Sequence, residues 1–167
     1  MKKVLESNLK VLFHDCDPFN HLNNSRYIDY IMAARTDQLE EAYQLDVYKI
    51  AQEQGVGWVS AQTQISYLFP AFLGEAVKIQ TRLLAATEKS LVVEGVMLNG
   101  DGTVLKAVMW AKLVHFNLKM QRSVAHSQAL SELFQKIVQP LNAETSFEDR
   151  VKVLKFESAG SIRKPVT

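Results

Sequence analysis

The chain has 167 residues, of which 47% are apolar and 22% charged, with a formal net charge of +1. This length and balance are typical of one globular domain with a sizeable core, and the net charge gives no indication of binding to nucleic acid or an anionic membrane. One cysteine, Cys16, excludes an internal disulfide, and no apolar run is long enough for a membrane span, so we expect a cytoplasmic protein without a signal peptide.

The first predicted elements are a strand and the polar loop that follows it. Apolar and polar residues alternate up to about Phe13, which predicts a strand. Asp17 and Pro18 end regular structure, because proline lacks a backbone donor and disfavours helix in the residue before it. The turn-forming residues 20–24 then offer a helix N-cap, for which Asn23 is a good candidate.

A long helix is predicted from about residue 24 to about residue 43. Its apolar residues recur with helical spacing on two adjacent faces, and Asp29 is the one charged residue between Tyr27 and Ala34. A helix that is apolar on most sides is normally buried on most sides. We therefore expect this helix to lie inside the domain.

Four strand candidates follow in succession, at residues 57–69, 76–87, 90–98 and 103–118. The segment "NGDG" at residues 99–102 is a hairpin signal. Strands joined by hairpins after one early helix indicate an α+β protein in which an antiparallel sheet wraps around that helix.

The remaining residues predict two helices. One has an apolar stripe ending before Pro140, and the other begins with a capping box at Ser146 and Asp149. We accordingly expect a sheet-and-helix unit at residues 1–120 and a C-terminal helical extension at residues 121–167, packed on the same domain.

The loop and the start of the helix carry a more specific pattern. The order D-x-D-x-x-x-H-x-N-N-x-x-Y, ahead of a buried helix and antiparallel strands, resembles the hotdog-fold acyl-CoA thioesterases of the 4-hydroxybenzoyl-CoA thioesterase type. The residues that carry this resemblance are Asp15, Asp17, His21, Asn23, Asn24 and Tyr27. It covers about residues 5–118, and it departs from the family at Asn20, where glycine is usual. Asparagine tolerates a positive φ, so the turn is expected to form.

The resemblance implies that Asp17 and Asn24 are the catalytic residues. Asp17 is expected to attack the thioester carbonyl or to act as general base on a water. The backbone N–H of Asn24, at a helix N-terminus, is expected to bind the oxyanion. Taken alone, Asp17 has a second interpretation, in which it only caps the turn before the helix.

Supporting roles are expected for Asp15, His21, Asn23 and Tyr27. On an extended backbone the Asp15 side chain points the same way as Asp17, so it either positions Asp17 or forms an acid/base pair with it. His21 either organises the loop or acts as a base. Asn23 is expected to cap the helix, and Tyr27 to belong to the core with its hydroxyl within reach of the pocket. Cys16 lies between two carboxylates that disfavour its thiolate, so it is predicted to be a small buried residue rather than a nucleophile.

The expected ligands and partners follow from the same resemblance. The substrate is an acyl-CoA, with coenzyme A as part of the substrate and no separate cofactor, and a homodimer or a higher homo-oligomer such as a tetramer buries the open sheet edge.

His14, His115 and His126 are too dispersed in sequence to predict a metal site. Lys78, Arg82 and Lys106 lie on predicted strands, where they either contact nucleotide phosphates or form a solvated sheet face.

Two other functions fit the same fold. One is a hotdog-fold enoyl-CoA hydratase, since Asp17 and His21 imitate the spacing of its catalytic pair. The other is a non-catalytic module that binds acyl-CoA or an acyl carrier protein, for which the helical tail provides an additional surface.

Overall fold

The computed structural model describes residues 1–162, and side chains as far as residue 158. A 3₁₀ turn at Phe13–Asp15 lies between the first strand and the first helix. In chain order the elements are β1 (Leu5–Lys10), α1 (Asn24–Tyr43), α2 (Val47–Gln54), β2 (Val56–Tyr67), β3 (Ala76–Ala86), β4 (Ser90–Asn99), β5 (Leu105–Asn117), β6 (Arg122–Ser123), α3 (Gln128–Ile137) and α4 (Phe147–Ile162).

The strands form one antiparallel sheet in the order β1-β3-β4-β5-β2, and the short β6 pairs with β5. The predicted hairpin between β4 and β5 is confirmed: the Asn99 side chain accepts the backbone N–H groups of Thr103 and Val104 at 2.8 and 2.9 Å. β1 and β2 are the two edges of the sheet. Along β2, residues 59–64 are all exposed, so one long edge lacks a partner strand in the single chain.

Helix α1 lies against one face of the sheet, and together they form the main core. The helix packs tightly on Gly95 of β4, where the Cβ of any larger residue would collide with Cγ2 of Ile31. Both residues are in the buried centre of the packed layers, so glycine is required there by the crossing of the helix. The predicted arrangement, a hotdog fold with a sheet around a buried helix, is confirmed.

Helix α4 covers the opposite face of the sheet. Phe147 packs edge-to-face on Trp110, with ring centroids 5.4 Å apart. The adjacent Glu94 is 1% exposed and accepts hydrogen bonds from Arg82 on β3, Trp110 on β5 and Arg150 on α4. A buried carboxylate is tolerated because these donors surround it, and the arrangement fastens α4 to the sheet.

Both C-terminal helices occur where the sequence predicts them. The Ser146 hydroxyl accepts the backbone N–H of Asp149 at 3.1 Å and donates to its carboxylate at 2.7 Å, which confirms the capping box. Phe134 and Ile137 of α3 belong to the main core. The last five residues of the predicted extension, 163–167, lie outside the described residues.

Two elements differ from the sequence-based prediction. Helix α2 lies between the predicted helix and the first of the four predicted strands, where the sequence analysis assigns no element. The Asp46 side chain caps its start by accepting Lys49 N–H at 2.9 Å, and Gly55 ends it with φ of +66°. None of its residues is fully buried, but Val47 and Ile50 pack against the main core. Also, β1 ends at Lys10, because residues 13–15 turn into a 3₁₀ helix instead of continuing the strand.

Within residues 1–162, none of the helices combines the length and the hydropathy that a membrane crossing requires.

Candidate active site

The loop before α1 folds back on itself and brings the predicted catalytic residues to one place. Backbone hydrogen bonds run from Asp17 N–H to His21 O at 2.8 Å and from Asn23 N–H to Asp15 O at 2.9 Å. Residues 15–17 therefore lie antiparallel to residues 21–23, with an isolated bridge between them. Asn24, the first residue of α1, follows directly, so the loop places Asp17 beside the start of the helix.

The two carboxylate oxygens of Asp17 have different surroundings. Oδ1 accepts the backbone N–H groups of Phe19 at 2.9 Å and His21 at 3.0 Å. Oδ2 lies 4.0 Å from Nδ1 of His21 and accepts no hydrogen bond within the part of the chain that the structure describes. The Asp17 side chain is 31% exposed. One oxygen thus holds the turn, and the other remains accessible to a ligand.

Asn20 occupies the tight position of this turn with φ of +61°. Its backbone N–H donates to Asp17 O at 3.0 Å, and its carbonyl accepts Leu73 N–H at 2.9 Å. Asparagine is among the residues that tolerate this conformation, so the turn forms although glycine is absent.

The N-terminus of α1 presents backbone donors that the described residues leave without acceptors. Asn23 occupies the N-cap position that the sequence predicts, but its side chain makes no capping hydrogen bond. Its carbonyl instead accepts Arg26 N–H at 2.8 Å. No described atom accepts the N–H groups of Asn24 and Ser25. Both residues are exposed in the single chain.

Asp15 has different partners from Asp17. The 3₁₀ turn replaces the extended backbone that was expected, so the two side chains do not share a strand face. The Asp15 side chain is 8% exposed, accepts the Tyr30 hydroxyl at 2.7 Å and lies 3.4 Å from Nε of Arg26. It therefore anchors the loop to the first two turns of α1.

Sequence reasoning missed Tyr30 as part of this site. Its hydroxyl donates to Asp15 and accepts the backbone N–H of Leu12 at 3.1 Å. Burial, and then the hydrogen bond to Asp15, raise the pKa of Tyr30 to about 12. The available signal was its position three residues after Tyr27 on a helix, which places the two hydroxyls on neighbouring faces.

Tyr27 ties the helix to the segment between β2 and β3. It is 2% exposed, as predicted for a core residue, and its hydroxyl accepts the backbone N–H of Ala71 at 3.0 Å. Burial raises the pKa of this hydroxyl. Tyr67 packs edge-to-face on Tyr27 at 5.2 Å and donates to Asn24 O at 2.9 Å.

Aromatic side chains surround the loop. His21 and Phe72 form an isolated β-bridge and an edge-to-face ring pair at 5.1 Å. The side chains of Phe13, Phe19 and Phe69 are 79%, 77% and 59% exposed. The segment just before α1 thus exposes two large apolar side chains, Phe13 and Phe19, in the single chain.

Two of the cations predicted to lie on strands are paired with carboxylates. Lys106 is 4% exposed, lies 2.8 Å from Glu75 and donates to Pro70 O at 2.9 Å, with the Phe69 and Phe72 rings near its ammonium group. Arg82 is bound to Glu94. The solvated sheet face predicted for these two residues is therefore wrong, whereas Lys78 is partly exposed.

Cys16 is half-buried, and its thiol donates to Leu12 O at 3.4 Å. Burial raises the pKa of the thiol, and the charges of Asp15 and Asp17 raise it further. A thiol with a raised pKa is a poor nucleophile near neutral pH.

Two histidines that are distant in sequence lie together, on the side of the sheet that α3 covers. The rings of His115 and His126 are 4.8 Å apart, and Trp58 Nε1 donates to Nε2 of His126 at 3.1 Å. Burial, and then His115, lower the pKa of His126. No group of three His, Cys, Asp or Glu side chains suited to a metal ion occurs among the described residues.

Known proteins resemble this chain in sequence and in fold. The family model of the thioesterase-like superfamily matches residues 11–134. The long-chain acyl-CoA thioesterase FadM of Escherichia coli (strain K12) is 27% identical over 135 residues, which are 80% of this chain and 99% of that protein.

Solved structures share the fold. The probable thioesterase YbaW of Escherichia coli has a TM-score of 0.67 at 24% identity, over 81% of this chain and 99% of that one. The protein SAV2348 of Staphylococcus aureus, in complex with CoA, has a TM-score of 0.75 at 16% identity, over 90% of this chain and 93% of that one. The chain belongs to the thioesterase-like superfamily and is a thioester hydrolase with the hotdog fold.

Proposed function

We propose that this chain is an acyl-CoA thioesterase that releases a free carboxylic acid and coenzyme A, with Asp17 as the reacting carboxylate. The proposal rests on the different surroundings of the two Asp17 carboxylate oxygens. Oδ1 accepts two backbone N–H groups of the loop, whereas Oδ2 accepts no hydrogen bond from the described residues. The substrate class is supported by FadM, which is named a long-chain acyl-CoA thioesterase, and by the CoA bound to SAV2348.

The second catalytic contact is the backbone N–H of Asn24. Donors at a helix N-terminus carry partial positive charge and stabilise an oxyanion as it develops on the thioester carbonyl. Because the loop pairs residues 15–17 with residues 21–23, a carbonyl bound at the helix start is adjacent to Asp17. The Asn24 side chain has no part in this contact.

Asp17 has two routes to the products. As a nucleophile, Oδ2 forms a bond to the carbonyl carbon, the C–S bond breaks, and water then hydrolyses the mixed anhydride. As a general base, it takes a proton from the water that attacks. In both routes coenzyme A leaves as a thiolate, which needs little acid assistance. A single turnover in ¹⁸O-labelled water that leaves label in Asp17 indicates the nucleophilic route with water attacking the Asp17 carbonyl of the anhydride.

The proposed active form is a homodimer or a larger homo-oligomer. The exposed edge of β2 and the exposed phenylalanines beside the loop support this, because a second protomer would cover both. Sedimentation velocity is expected to give at least twice the chain mass of 18.9 kDa. A monomer at micromolar concentration would contradict the proposed assembly.

The test of the catalytic proposal is a pair of substitutions at Asp17. Asp17→Asn keeps an Oδ1 acceptor for the Phe19 and His21 N–H groups but removes the ionisable carboxylate. We expect thiol release from a panel of acyl-CoAs to fall at least about a hundredfold, with unchanged thermal stability. Asp17→Ala, which removes both functions, is expected to lower stability as well.

The matched control is Asp37→Asn, which changes an exposed aspartate farther along α1. Near-wild-type hydrolysis by Asp17→Asn would contradict the assigned role. Hydration of an unsaturated acyl-CoA without thiol release would favour a hydratase, and binding without turnover across the panel would favour a non-catalytic module.

A further inference from the structure

A separate apolar cavity of about 250 Å³ lies along the C-terminal half of α1. It is lined by residues of α1, α2, the sheet and α3, is partly open to solvent, and has no lining residue from the loop at positions 15–24. Arg35, which lines it, is eleven residues after Asn24, about 16 Å along the helix axis. The lining is largely hydrophobic and includes Met32, Leu39, Leu45, Trp58, Leu113 and Phe134.

Arg35 is a buried cation in this apolar lining. The residue is 5% exposed. Among the described residues, no carboxylate lies within 4.0 Å of its guanidinium and no group forms a hydrogen bond with it, whereas the buried Lys106 and the partly buried Arg82 are both paired. Burial lowers its pKa to about 10, still far above neutral pH, so the group is charged.

A buried charge without a partner is destabilising unless a ligand supplies the opposite charge. The planar guanidinium matches a carboxylate through two parallel hydrogen bonds. The other lining residues of this described cavity carry no charge, so one positive group is available for one negative group.

We propose that this cavity binds an amphipathic monocarboxylate, with its carboxylate on Arg35 and its aliphatic body among the hydrophobic side chains. The volume is near the lower end of the range for ligand pockets, roughly 300–1,000 Å³, which suits a medium-length chain. A phosphate monoester fits less well, because its second negative charge would have no partner in the apolar lining.

The test is calorimetric titration of the full chain with octanoate, 1-octanol and octyl phosphate. We expect octanoate to bind at least about tenfold more tightly than 1-octanol, the effect of one hydrogen bond to a charged group. Octyl phosphate is expected to bind more weakly than octanoate. Equal affinity for octanoate and 1-octanol, absence of octanoate binding, or preference for the phosphate would overturn the proposal.

Arg35→Met locates the carboxylate contact. This variant keeps the apolar volume, so we expect it to bind 1-octanol as the wild type does and to lose its preference for octanoate. Arg122→Met, at an exposed strand position, is the matched control. Unchanged octanoate affinity in folded Arg35→Met would contradict the assignment, and the wild-type comparison holds even if the variant does not fold.

Two sources could supply the carboxylate: a free fatty acid, or the far end of a dicarboxylic acyl-CoA. The experiments that separate these two sources rest on the proposed thioesterase function, whereas the calorimetric titration with octanoate does not. Octanoate that lowers hydrolysis without competing with acyl-CoA indicates a free acid at its own site. If the wild type hydrolyses dicarboxylic acyl-CoA faster than simple acyl-CoA, and Arg35→Met loses this preference, the carboxylate on Arg35 is the far end of the substrate.

Discussion

The Tyr30 hydroxyl donates a 2.7 Å hydrogen bond to Oδ2 of Asp15, a carboxylate that is 8% exposed. The same hydroxyl accepts the backbone N–H of Leu12. One phenol therefore joins the end of β1, the candidate catalytic loop and the second turn of α1. Since Asp15 O also accepts Asn23 N–H, the position of the helix start depends on this contact.

Tyr30→Phe is expected to lower the free energy of unfolding by about 1.5–3 kcal/mol, because it removes a hydrogen bond to a charged group. The Asp15 carboxylate would retain only its contacts with Arg26 and His14. Urea denaturation measures the change. Tyr48→Phe, at a residue that is 68% exposed, is the control and should have little effect. Equal stability of both variants would contradict the anchoring role.

Gly95→Ala is expected to destabilise the domain by about 1–3 kcal/mol, the usual effect of overpacking a core. The new methyl group would meet Cγ2 of Ile31. In an Ile31→Ala background Gly95→Ala should lower stability less. Thermal unfolding of the wild type, the two single variants and the double variant measures the coupling between the two positions. Gly57→Ala, with open space at its Cβ position, is the control. Additive effects would indicate that the two residues do not collide.

Stability is expected to fall as the pH drops below about 6.5, the unperturbed pKa of histidine. The pKa of His126 is lowered in the fold, so the unfolded chain binds a proton at a higher pH than the folded chain does. This contribution is present above the unfolded pKa and is lost as the pH falls towards the folded pKa.

The hydrogen bonds of the His126 ring explain this loss of stability. Its Nε2 accepts the Trp58 indole N–H, and its Nδ1 lies 3.2 Å from Thr87 O. A protonated ring cannot accept the indole N–H. Chemical denaturation at pH 7.5 and 5.5 should show a smaller pH effect in His126→Phe than in the wild type. An identical pH dependence of the two proteins would refute this explanation.

Arg35→Met is expected to raise the free energy of unfolding of the ligand-free chain by about 1–3 kcal/mol. The substitution replaces a buried charge, without a described partner, by an apolar side chain of similar length. Thermal and urea denaturation measure the effect. A marked loss of stability would mean that the assembled protein already supplies a partner for the guanidinium.

Local patterns in the sequence predicted the elements that depend on neighbouring residues. The helical spacing from residue 24 to residue 43, the turn at residues 99–102 and the capping box at Ser146 each correspond to structure within a few residues. Helix α2 escaped prediction because it is short and no residue in it is fully buried, although Asp46 and Gly55 mark its ends.

The sequence predicted the candidate site only in part. The motif located the loop that holds Asp17 and Asn24, because a turn and a helix start are local features. It did not indicate that Tyr30 holds Asp15, or that the Asn23 side chain leaves the helix uncapped. The Tyr30 contacts join α1 to residues 12 and 15, and such contacts between elements leave no local pattern in the sequence.

Tertiary structure alone decided the pairing of charges. Arg35 shares a helix face with Ile28, Met32 and Leu39, which is visible in the sequence, and Arg82 and Lys106 lie on strands that were predicted. Arg82 and Lys106 form ion pairs with carboxylates, whereas no described carboxylate pairs with Arg35. Periodicity predicts which face of an element is buried, but the partner of a charge depends on the register of neighbouring strands, as for Arg82 and Glu94, or on packing between distant segments, as for Lys106 and Glu75.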